Sequence, residues 1–455
     1  MSRPVVPIPT LVAAILVLSV TVVPVAAQDA GTPPSAEATP GVPFSGEGHA
    51  ADARASSGPV GMPVVRWRHE TCLQVFGDDL AASGGVVYVA SDVLIALDAQ
   101  NGTERWRFQA RDVFTSVTVV EDVVYAGTAD GFLYAVDAAT GSERWRFEAD
   151  ASGPVGAPLV GDGLLYVRGG GFASDTGYFQ YALYAIDAVK GAERWRLDLD
   201  GGSFGTPTLA EGTLYVGDWG GYLHALDAAT GEARWHFPTP GGSPQSPAVA
   251  DGTVYASAGP ELYAVDAATG TERWRFPTGV DISTAPIVAA GGVYFGSDNG
   301  RFYALDAATG TERWAFEYGD VRAPAVAAGI LYLGGVDGFL HALDATTGSA
   351  RWILQTGNDV HMSSPVVSDG VVYIGGIQEN SAYLLAIEEM AGQVGTPQPV
   401  ATAPGDSGGT PVLELPPWMA AVAASMPNDG ATVTPVSAAS LPPAVTPVVP
   451  CQSRG

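Results

Sequence analysis

The sequence predicts an all-β fold, an eight-bladed β-propeller built from four-stranded antiparallel blades. The first observation is a short pattern that recurs about every 40 residues between Asp98 and Trp352: an Asp, a Gly four residues later and a Trp eight residues later. The second is that each repeat contains four short runs with the alternation of β-strands. The third is that each end of the repeat region holds part of one further repeat. Self-similarity at this period is typical of propeller blades.

Residues 262–276 illustrate how one repeat is predicted to fold. Large and small side chains alternate in its first four positions, and the run is too short for a helix, which indicates a strand. A tight turn follows, in which Gly270 is free to take a positive φ. Trp274 and Phe276 then share one face of a second extended segment. Two earlier segments, within 247–256, complete a blade of four strands.

The two ends of the repeat region complete one another. Trp67 lies in a last-strand pattern with no earlier strands before it, whereas residues 371–387 supply earlier strands with no Trp after them. Sharing one blade between the chain ends closes the ring and leaves only short, protected strand edges. The number of repeats agrees with eight blades. Eight tryptophans occupy the repeated position, and we call them the Trp column: Trp67, Trp106, Trp145, Trp195, Trp235, Trp274, Trp314 and Trp352.

The segments outside the propeller, which spans 61–390, have a different composition. Residues 1–27 resemble a secretory signal peptide, with a basic start, an apolar run and small residues before a cleavage site after Ala27. No Cys follows that site, so a lipid anchor is not predicted. Residues 28–60 are expected to be a disordered leader, and 391–455, rich in Pro, Ala and Thr, a mostly disordered tail. We therefore expect a secreted, periplasmic or cell-envelope protein with no membrane span in the mature chain.

Amino-acid composition and net charge limit the kinds of binding partner that we expect. The chain has 455 residues and a formal net charge of −27, which argues against nucleic acid and against anionic membrane surfaces. Its hydrophobic content of 47% and ten Trp exclude a wholly disordered chain. No P-loop, nucleophile-elbow, metalloprotease or Cys-x-x-Cys motif occurs. We expect a monomer.

The chain contains two cysteines, Cys72 just after the closing strand and Cys451 near the end of the tail. An exported protein meets an oxidising environment, so we predict that they are candidates for a disulfide that ties the tail to the ring. Two free thiols are the alternative, and spacing alone does not decide between them.

The third repeat departs from the pattern. The step from Trp145 to Trp195 is 50 residues, and residues 168–179 supply the extra length. We expect a loop here. Loops on a rigid scaffold often hold functional residues, and a tolerated insertion is the alternative.

The connections between blades are predicted to contribute to one face near the axis. The candidate binding-face residues on these connections, turns and insertion are Arg111, Asp112, Arg168, Phe204, Trp219, Gln245, Asp281, Arg322 and His361. His224 and His341 stand where other repeats have Tyr, and we interpret them as packing substitutions and not metal ligands. The repeated Asp is interpreted as a turn residue that accepts backbone hydrogen bonds. No catalytic or metal-binding residue is assigned.

Residues 304–314, Ala-Leu-Asp-Ala-Ala-Thr-Gly-Thr-Glu-Arg-Trp, resemble the tryptophan-docking motif of the pyrroloquinoline-quinone (PQQ) dehydrogenase propellers. The resemblance covers roughly 64–388 and returns in every blade. In that family the motif is structural, because its Trp packs between neighbouring blades. The resemblance therefore implies the fold and says nothing direct about catalysis.

Two branches of this family differ in function. The quinoprotein alcohol dehydrogenases typically have adjacent cysteines against the cofactor, Glu, Asn and Asp ligands for calcium, and long insertions. Here Cys72 and Cys451 are far apart, the blades are nearly minimal and no calcium triad is recognised. The chain is more similar to the non-catalytic PQQ-like branch, which includes the outer-membrane barrel-assembly lipoprotein. We therefore expect neither PQQ nor catalysis.

Three hypotheses of function follow from the sequence. The first is an exported non-enzymatic propeller that binds a protein or other macromolecule of the cell envelope. The second is a PQQ-dependent, quinoprotein-type oxidoreductase. The third is a cell-surface carbohydrate-binding propeller. Adjacent cysteines or a calcium triad favour the second hypothesis, and neither occurs in the sequence. A propeller fold alone does not choose between the other two.

Overall fold

The computed structural model describes residues 62–71, 79–149, 153–173, 178–199, 205–319, 324–335, 338–356, 363–378 and 381–390. Within these ranges the regular structure is β-strand, and no helix is long and apolar enough to cross a membrane. The signal-peptide, leader and tail predictions fall outside the described residues, as do Cys72, Cys451, Phe204, Arg322 and His361.

The chain enters through strand β1 (Met62–Thr71) and then forms blades in order. Blade 1 contains β2 (Leu80–Ser83), β3 (Val86–Ala90), β4 (Leu94–Asp98) and β5 (Glu104–Phe108). Blade 2 contains β6 (Phe114–Val120), β7 (Val123–Thr128), β8 (Phe132–Asp137) and β9 (Glu143–Glu148). Blade 3 contains β10 (Leu159–Gly161), β11 (Leu164–Ala173), β12 (Tyr178–Asp187) and β13 (Glu193–Leu199). Blade 4 contains β14 (Thr208–Ala210), β15 (Thr213–Gly217), β16 (Tyr222–Asp227) and β17 (Ala233–Pro238).

The second half of the ring repeats this arrangement. Blade 5 contains β18 (Ala248–Ala250), β19 (Thr253–Ala258), β20 (Glu261–Asp266) and β21 (Glu272–Pro277). Blade 6 contains β22 (Ile287–Ala289), β23 (Gly292–Ser297), β24 (Arg301–Asp306) and β25 (Glu312–Glu317). Blade 7 contains β26 (Ala325–Ala327), β27 (Ile330–Gly334), β28 (Phe339–Asp344) and β29 (Ala350–Gln355). Blade 8 contains β30 (Val366–Ser368), β31 (Val371–Gln378), β32 (Ser381–Met390) and β1.

Each blade is a four-stranded antiparallel sheet whose strands we name A to D from the axis outward. Contacts between the A strands of neighbouring blades, such as β14 with β18 and β30 with β2, place these strands around the axis. The D strands carry the Trp column and form the outer edge. The predicted all-β, eight-bladed propeller is confirmed.

The N-terminal strand closes the ring. β1 pairs antiparallel with β32 from Met62 opposite Met390 to Thr71 opposite Ala382, as the split repeat predicts. The Trp67 side chain is 3% exposed and packs beside Tyr373, with ring centroids 5.9 Å apart. A hydrophobic cluster joins this blade to blade 1, so the two chain ends seal the last interface of the ring.

The core lies between the blades. In one interface, Leu223 and Ala225 of blade 4 pack against Val254 and Tyr263 of blade 5. Comparable clusters recur around the ring. A single blade leaves apolar side chains on both faces, so stacking against two neighbours is what removes them from water.

The structure corrects the prediction for the third blade. Residues 168–173 do not form a loop but continue β11, and β12 begins at Tyr178, with Ala173 paired to Tyr178. Extending the hairpin in this way satisfies the backbone N–H and C=O groups of the inserted residues. Residues 174–177 lie outside the described part of the chain.

Candidate functional site

The propeller has two faces of different composition. The A–B and C–D turns form one face, which we call the motif face because it contains the Asp and Gly of every repeat. The B–C turns and the connections from each D strand to the next A strand form the other, which we call the connector face. Hydrogen bonds within each face define this grouping: Ala267 N donates to Gly252 O on the motif face, and Thr239 N to Gly221 O on the connector face.

The motif face repeats one hydrogen-bonded turn. In blade 5, Asp266 Oδ1 accepts the backbone N–H of Ala268 and Thr269 and the Thr269 hydroxyl, at 3.1, 2.9 and 2.8 Å. Its Oδ2 lies 2.7 Å from Arg273 Nη2. The hydrogen bond from Arg273, assisted by Thr269, lowers the pKa of the Asp266 carboxyl to about 2. These hydrogen bonds to the Asp266 carboxylate hold the turn.

A β-bulge explains how the arginine reaches the aspartate. The register of β20 and β21 shifts so that Val265 lies opposite Glu272 and Ala264 opposite Trp274, which leaves Arg273 as the extra residue. The same bulge occurs in the closing blade, where Arg66 is the extra residue and pairs with Glu388. The two chain ends thus complete the ion pair that other blades make within a single hairpin.

Each repeated Gly lies under the Trp of the preceding blade. Gly270 has a φ of +71°, and a Cβ built on it would stand 2.7 Å from the Trp235 ring. The Trp235 indole N–H donates to Ala267 O at 3.0 Å. Glycine is therefore required here for two reasons, the left-handed backbone and the ring that covers it. This contact supports a structural role for the Trp column.

The residues of the connector face do not repeat from blade to blade. Among the candidate binding-face residues that the structure describes, all but Arg168 lie on the turns and connections of this face: Arg111, Asp112, Trp219, Gln245 and Asp281. Arg111 is exposed, with its guanidinium 5.6 Å from the Phe132 ring. Asp112 Oδ1 accepts the N–H of Val113 at 2.8 Å. Gln245 Nε2 donates to Ile282 O at 3.2 Å, which bridges two successive connections.

Blades 3 and 4 form an aromatic patch on this face, composed of Tyr181, Trp219, Tyr222 and His236. Trp219 and Tyr222 are 38% and 41% exposed, which is high for large aromatic side chains. The Tyr181 and Trp219 rings have centroids 5.7 Å apart across the interface between the blades. Tyr222 meets the exposed His236 edge-on at 5.8 Å. The rings are thus held in place while their outer faces remain in solvent.

A buried carboxylate fixes the turn that presents the patch. Asp218 is 6% exposed, and its Oδ1 accepts the Tyr222 N–H at 2.8 Å. Its Oδ2 lies 2.8 Å from His224 Nε2. His224 is therefore more than the packing substitution we expected, because it hydrogen-bonds the carboxylate. His341 is buried beside Tyr318, with centroids 4.6 Å apart. Among the described residues, no cluster of His, Cys, Asp and Glu could hold a metal.

An open groove of about 450 Å³ continues from the aromatic patch toward blade 6. Its lining residues are Gly241, Gly242, Ser243, Gln245, Gly259, Asp281 and Ile282. The Ser243 hydroxyl donates to Trp219 O at 3.3 Å, which joins the groove to the patch. Val280, beside Asp281, is 42% exposed. Patch and groove together form a mixed aromatic and polar surface that spans three blades.

A smaller cavity of about 170 Å³ lies where the connections into blades 3, 4 and 5 meet. Arg168 lines it together with neutral residues: Thr115, Pro154, Val155, Gly156, Ala157, Gly205, Thr206, Pro207 and Ser246. None of the patch residues, nor Arg111, is among the described residues that line this cavity. The sequence prediction placed these residues on one face without distinguishing two sites.

The two cavities described above differ from what PQQ needs in size and in charge. That cofactor is a flat ring system with three carboxylates, and ligand pockets generally measure about 300–1,000 Å³. The cavity with Arg168 is about 170 Å³, too small for the ring system. The groove is larger, but its described lining contains the acid Asp281 and no basic side chain. Burying three carboxylates without cationic partners is unfavourable.

Sequence reasoning missed Tyr181, Tyr222 and Val280. A comparison between repeats contains a signal for Tyr222, because the corresponding positions are Glu261 in blade 5 and Arg301 in blade 6. Tyr181 has no such signal, since its partner Trp219 belongs to another blade and their contact depends on the length of the extended hairpin.

Comparisons with known proteins agree with this architecture. The family model described as outer membrane protein assembly factor BamB matches residues 64–174, 152–246 and 220–414. No curated protein matches the sequence.

Solved structures share the fold at low sequence identity. BamB from Moraxella catarrhalis is 21% identical, with a TM-score of 0.58, over 73% of this chain and 99% of that chain. Quinohemoprotein alcohol dehydrogenase from Comamonas testosteroni is 18% identical, with a TM-score of 0.58, over 74% of this chain and 78% of that one. The computationally designed Ika8 protein is 17% identical, with a TM-score of 0.60, over 71% and 99%.

The structural matches include a dehydrogenase, an assembly factor and a designed protein, so the shared fold does not select an activity. The family model is more specific, because its three matched segments cover most of the chain from residue 64 to residue 414. The chain therefore belongs to the outer membrane protein assembly factor BamB family.

Proposed function

We propose that the protein is an exported, non-enzymatic propeller that binds a protein partner of the cell envelope through its connector face. The observation that supports this most directly is the exposed aromatic patch of Tyr181, Trp219, Tyr222 and His236, with the groove beside it. Trp and Tyr are enriched at the energetic centres of protein interfaces, and large exposed rings favour such contacts.

Three further points support this proposal. The matched family is named for an outer membrane protein assembly factor, which is a protein-binding role in the envelope. The first 27 residues resemble a signal peptide, consistent with export. Asp218 holds the backbone of the turn and the Tyr181 and Trp219 rings contact each other between blades, so little conformational freedom is lost when a partner binds.

Site-specific photo-cross-linking tests the proposal. A photoreactive benzoyl-phenylalanine replaces Val280, which is 42% exposed beside the groove, in protein produced in its own host. The matched control places the same residue at Val189, which is 81% exposed on the motif face. We expect one defined protein adduct from position 280 and none from position 189.

A second variant links the adduct to the patch. Trp219→Ala combined with Tyr222→Ala removes the exposed rings, and we expect at least a tenfold loss of the adduct at position 280, because interface anchors contribute about 2 kcal/mol or more. An adduct that forms equally from position 189, or that survives the double substitution, contradicts the proposal. Selective retention on glycans instead of a protein favours the carbohydrate-binding alternative.

The non-enzymatic part of the proposal has its own test. We propose that the chain does not hold PQQ, because the described sites lack the size or the positive charge it needs. Titration of residues 28–455 with PQQ and calcium, followed by calorimetry and dye-linked alcohol oxidation, is expected to give neither binding nor turnover. Micromolar binding with turnover would favour the quinoprotein alternative.

A further inference from the structure

One position on the D strands has a different kind of residue in the blade that closes the ring. Two residues after the repeated Trp, the other seven blades have Phe or Leu, each opposite a buried Leu or Phe of strand C: Phe108, Phe147, Leu197, Phe237, Phe276, Phe316 and Leu354. The closing strand β1 has His69 there, opposite Leu384. Leu384 belongs to the hydrophobic cluster between blades 8 and 1, an interface that we call the closing seam.

The His69 side chain is buried, and one of its two ring nitrogens is hydrogen-bonded. The residue is 1% exposed. Nδ1 lies 3.2 Å from Gly102 O, and because a carbonyl oxygen only accepts, Nδ1 carries the proton and donates. Nε2 is buried and has no hydrogen-bond partner among the described residues. Phe or Leu would fill this position without burying a polar atom, so packing alone does not account for a histidine.

In the described part of the chain, blade 1 and β1 supply the charged groups around His69. Glu104 and Arg107 of β5 act on it electrostatically from across the seam, and Glu70 acts from its own strand. Glu104 Oε1 accepts from Arg107 Nε at 2.8 Å, so this carboxylate already has a partner. The residue opposite on β32, Leu384, is apolar. A proton added at Nε2 therefore meets no described acceptor at hydrogen-bond distance.

Burial of the ring makes its charged form unfavourable. Desolvation has the largest effect and lowers the pKa of His69 below its ordinary 6.5, while the Gly102 carbonyl and the two glutamates act in the opposite direction. When β1 separates from the seam, the ring reaches water and its pKa returns to the ordinary value. The closed state thus binds fewer protons than the open state below about pH 6.5. Closure is therefore most favourable above that pH and weakens as the pH falls.

We propose that His69 makes ring closure sensitive to pH, because protonation of its buried ring at Nε2 weakens the closing seam and releases β1. This strand comes from the opposite end of the chain from the rest of blade 8, so it can separate by local opening while the other blades stay folded. Its release leaves the outer edge of β32 with unpaired backbone groups. This inference is independent of the proposed protein partner.

Native-state amide hydrogen exchange of residues 28–455 at pH 7.5 and pH 5.5, corrected for the intrinsic exchange rate, measures the opening of β1. Strands β9 and β21, with Phe147 and Phe276 at this position, are controls within the same molecule. Glu104 stays ionised over this range, because its hydrogen bond with Arg107 lowers its pKa. A pKa of 6.5 in the open state alone allows an increase of about tenfold in opening. We expect roughly three- to tenfold in β1 and less than about twofold in β9 and β21.

Two variants assign the effect to the imidazole. His69→Phe gives β1 the residue of most other blades, and it should keep protection at pH 7.5 and reduce the pH dependence of β1 to less than about twofold. His69→Leu matches blades 3 and 7 and is used if Phe does not fit. If His69 served only to bind the Gly102 carbonyl, its replacement would lower protection equally at both pH values. That result, a pH dependence that persists in a folded variant, or wild-type β1 opening that changes no more than β9 and β21 overturns the proposal.

Discussion

The motif face and the connector face of the ring differ in how regularly their residues repeat from blade to blade. On the motif face, six hairpins of the described part of the chain make the same ion pair between the repeated Asp and an Arg seven residues later, at 2.6–2.9 Å. On the connector face, one connection presents Ser243 and Gln245, the next presents Val280 and Asp281, and an indole is exposed on one B–C turn at Trp219. One face is nearly invariant around the ring, and the other changes from blade to blade.

This difference separates scaffold from candidate binding surface. The repeated Trp and Gly make contacts between neighbouring blades, and the repeated Asp and Arg make an ion pair within one hairpin, so these residues hold the ring together. A residue that occurs in one blade, at an exposed position, has no counterpart role in closing the ring. The comparison therefore predicts large effects on stability from the repeated Trp and Gly, which pack between blades, and small effects from the partly exposed repeated Asp and from the connector face.

The largest expected effect contrasts two tryptophans. Trp67→Ala removes a side chain that is 3% exposed, donates to Ala99 O at 2.9 Å and seals the last blade. We expect a loss of about 3–5 kcal/mol, the usual cost of truncating a buried Trp. Trp219→Ala, at 38% exposure, should cost under about 1 kcal/mol. Thermal and urea unfolding of residues 28–455 provide the measurement.

Deleting residues 61–70 extends the same test. The deletion removes most of β1 and exposes the edge of β32, so its unfolding midpoint should fall below that of Trp67→Ala. Unfolding curves that superimpose on wild type would rule out closure by the N-terminal strand.

Substituting two glycines, one on each face, should give an intermediate loss of stability. Gly270→Ala places a Cβ 2.7 Å from the Trp235 ring at a φ of +71°, so it combines a clash with backbone strain. We expect a cost of about 2–4 kcal/mol. Gly279, on the connector face, has a φ of +83° and nothing within 4 Å of its Cβ position. Gly279→Ala should cost only the strain, about 1 kcal/mol. Equal midpoints for the two variants would contradict the docking geometry.

The smallest effect concerns pH. Hydrogen bonds from Arg144, Arg273 and Arg313 lower the pKa of Asp137, Asp266 and Asp306 to about 2, from an ordinary 3.8. A lowered folded-state pKa means that these carboxylates stabilise the fold above about pH 4 and lose this contribution as the pH falls toward 2. The three side chains are partly exposed to solvent, which screens the ion pairs, so the contribution is modest.

A triple Asp→Asn variant at these positions makes the pH effect measurable. Wild type should lose more thermal stability than the variant between pH 5 and pH 2.5, because the variant has no carboxylate to protonate there. Arg273→Gln should remove part of the same dependence by taking away one partner. Parallel loss in wild type and triple variant would show that the repeated pairs do not contribute.

The sequence alone determined the propeller architecture, because the residues that indicate each blade lie within a single repeat. The Asp, Gly and Trp columns each act within one hairpin or between adjacent blades, so a single repeat contains the information for all of them. The split repeat at the two ends determined ring closure for the same reason. The face on which the connections lie also followed from strand order, which fixes where every D strand meets the next A strand.

Tertiary structure alone decided which connector residues come together. Tyr181 reaches Trp219 because the blade 3 hairpin is extended by paired strand, and the sequence pattern had indicated a loop there. The β-bulge that brings Arg273 to Asp266 could not be predicted from the strand pattern of the sequence. Connections into three different blades line the cavity that also contains Arg168. These features depend on contacts between segments far apart in the chain, and no local pattern of residues encodes such distances.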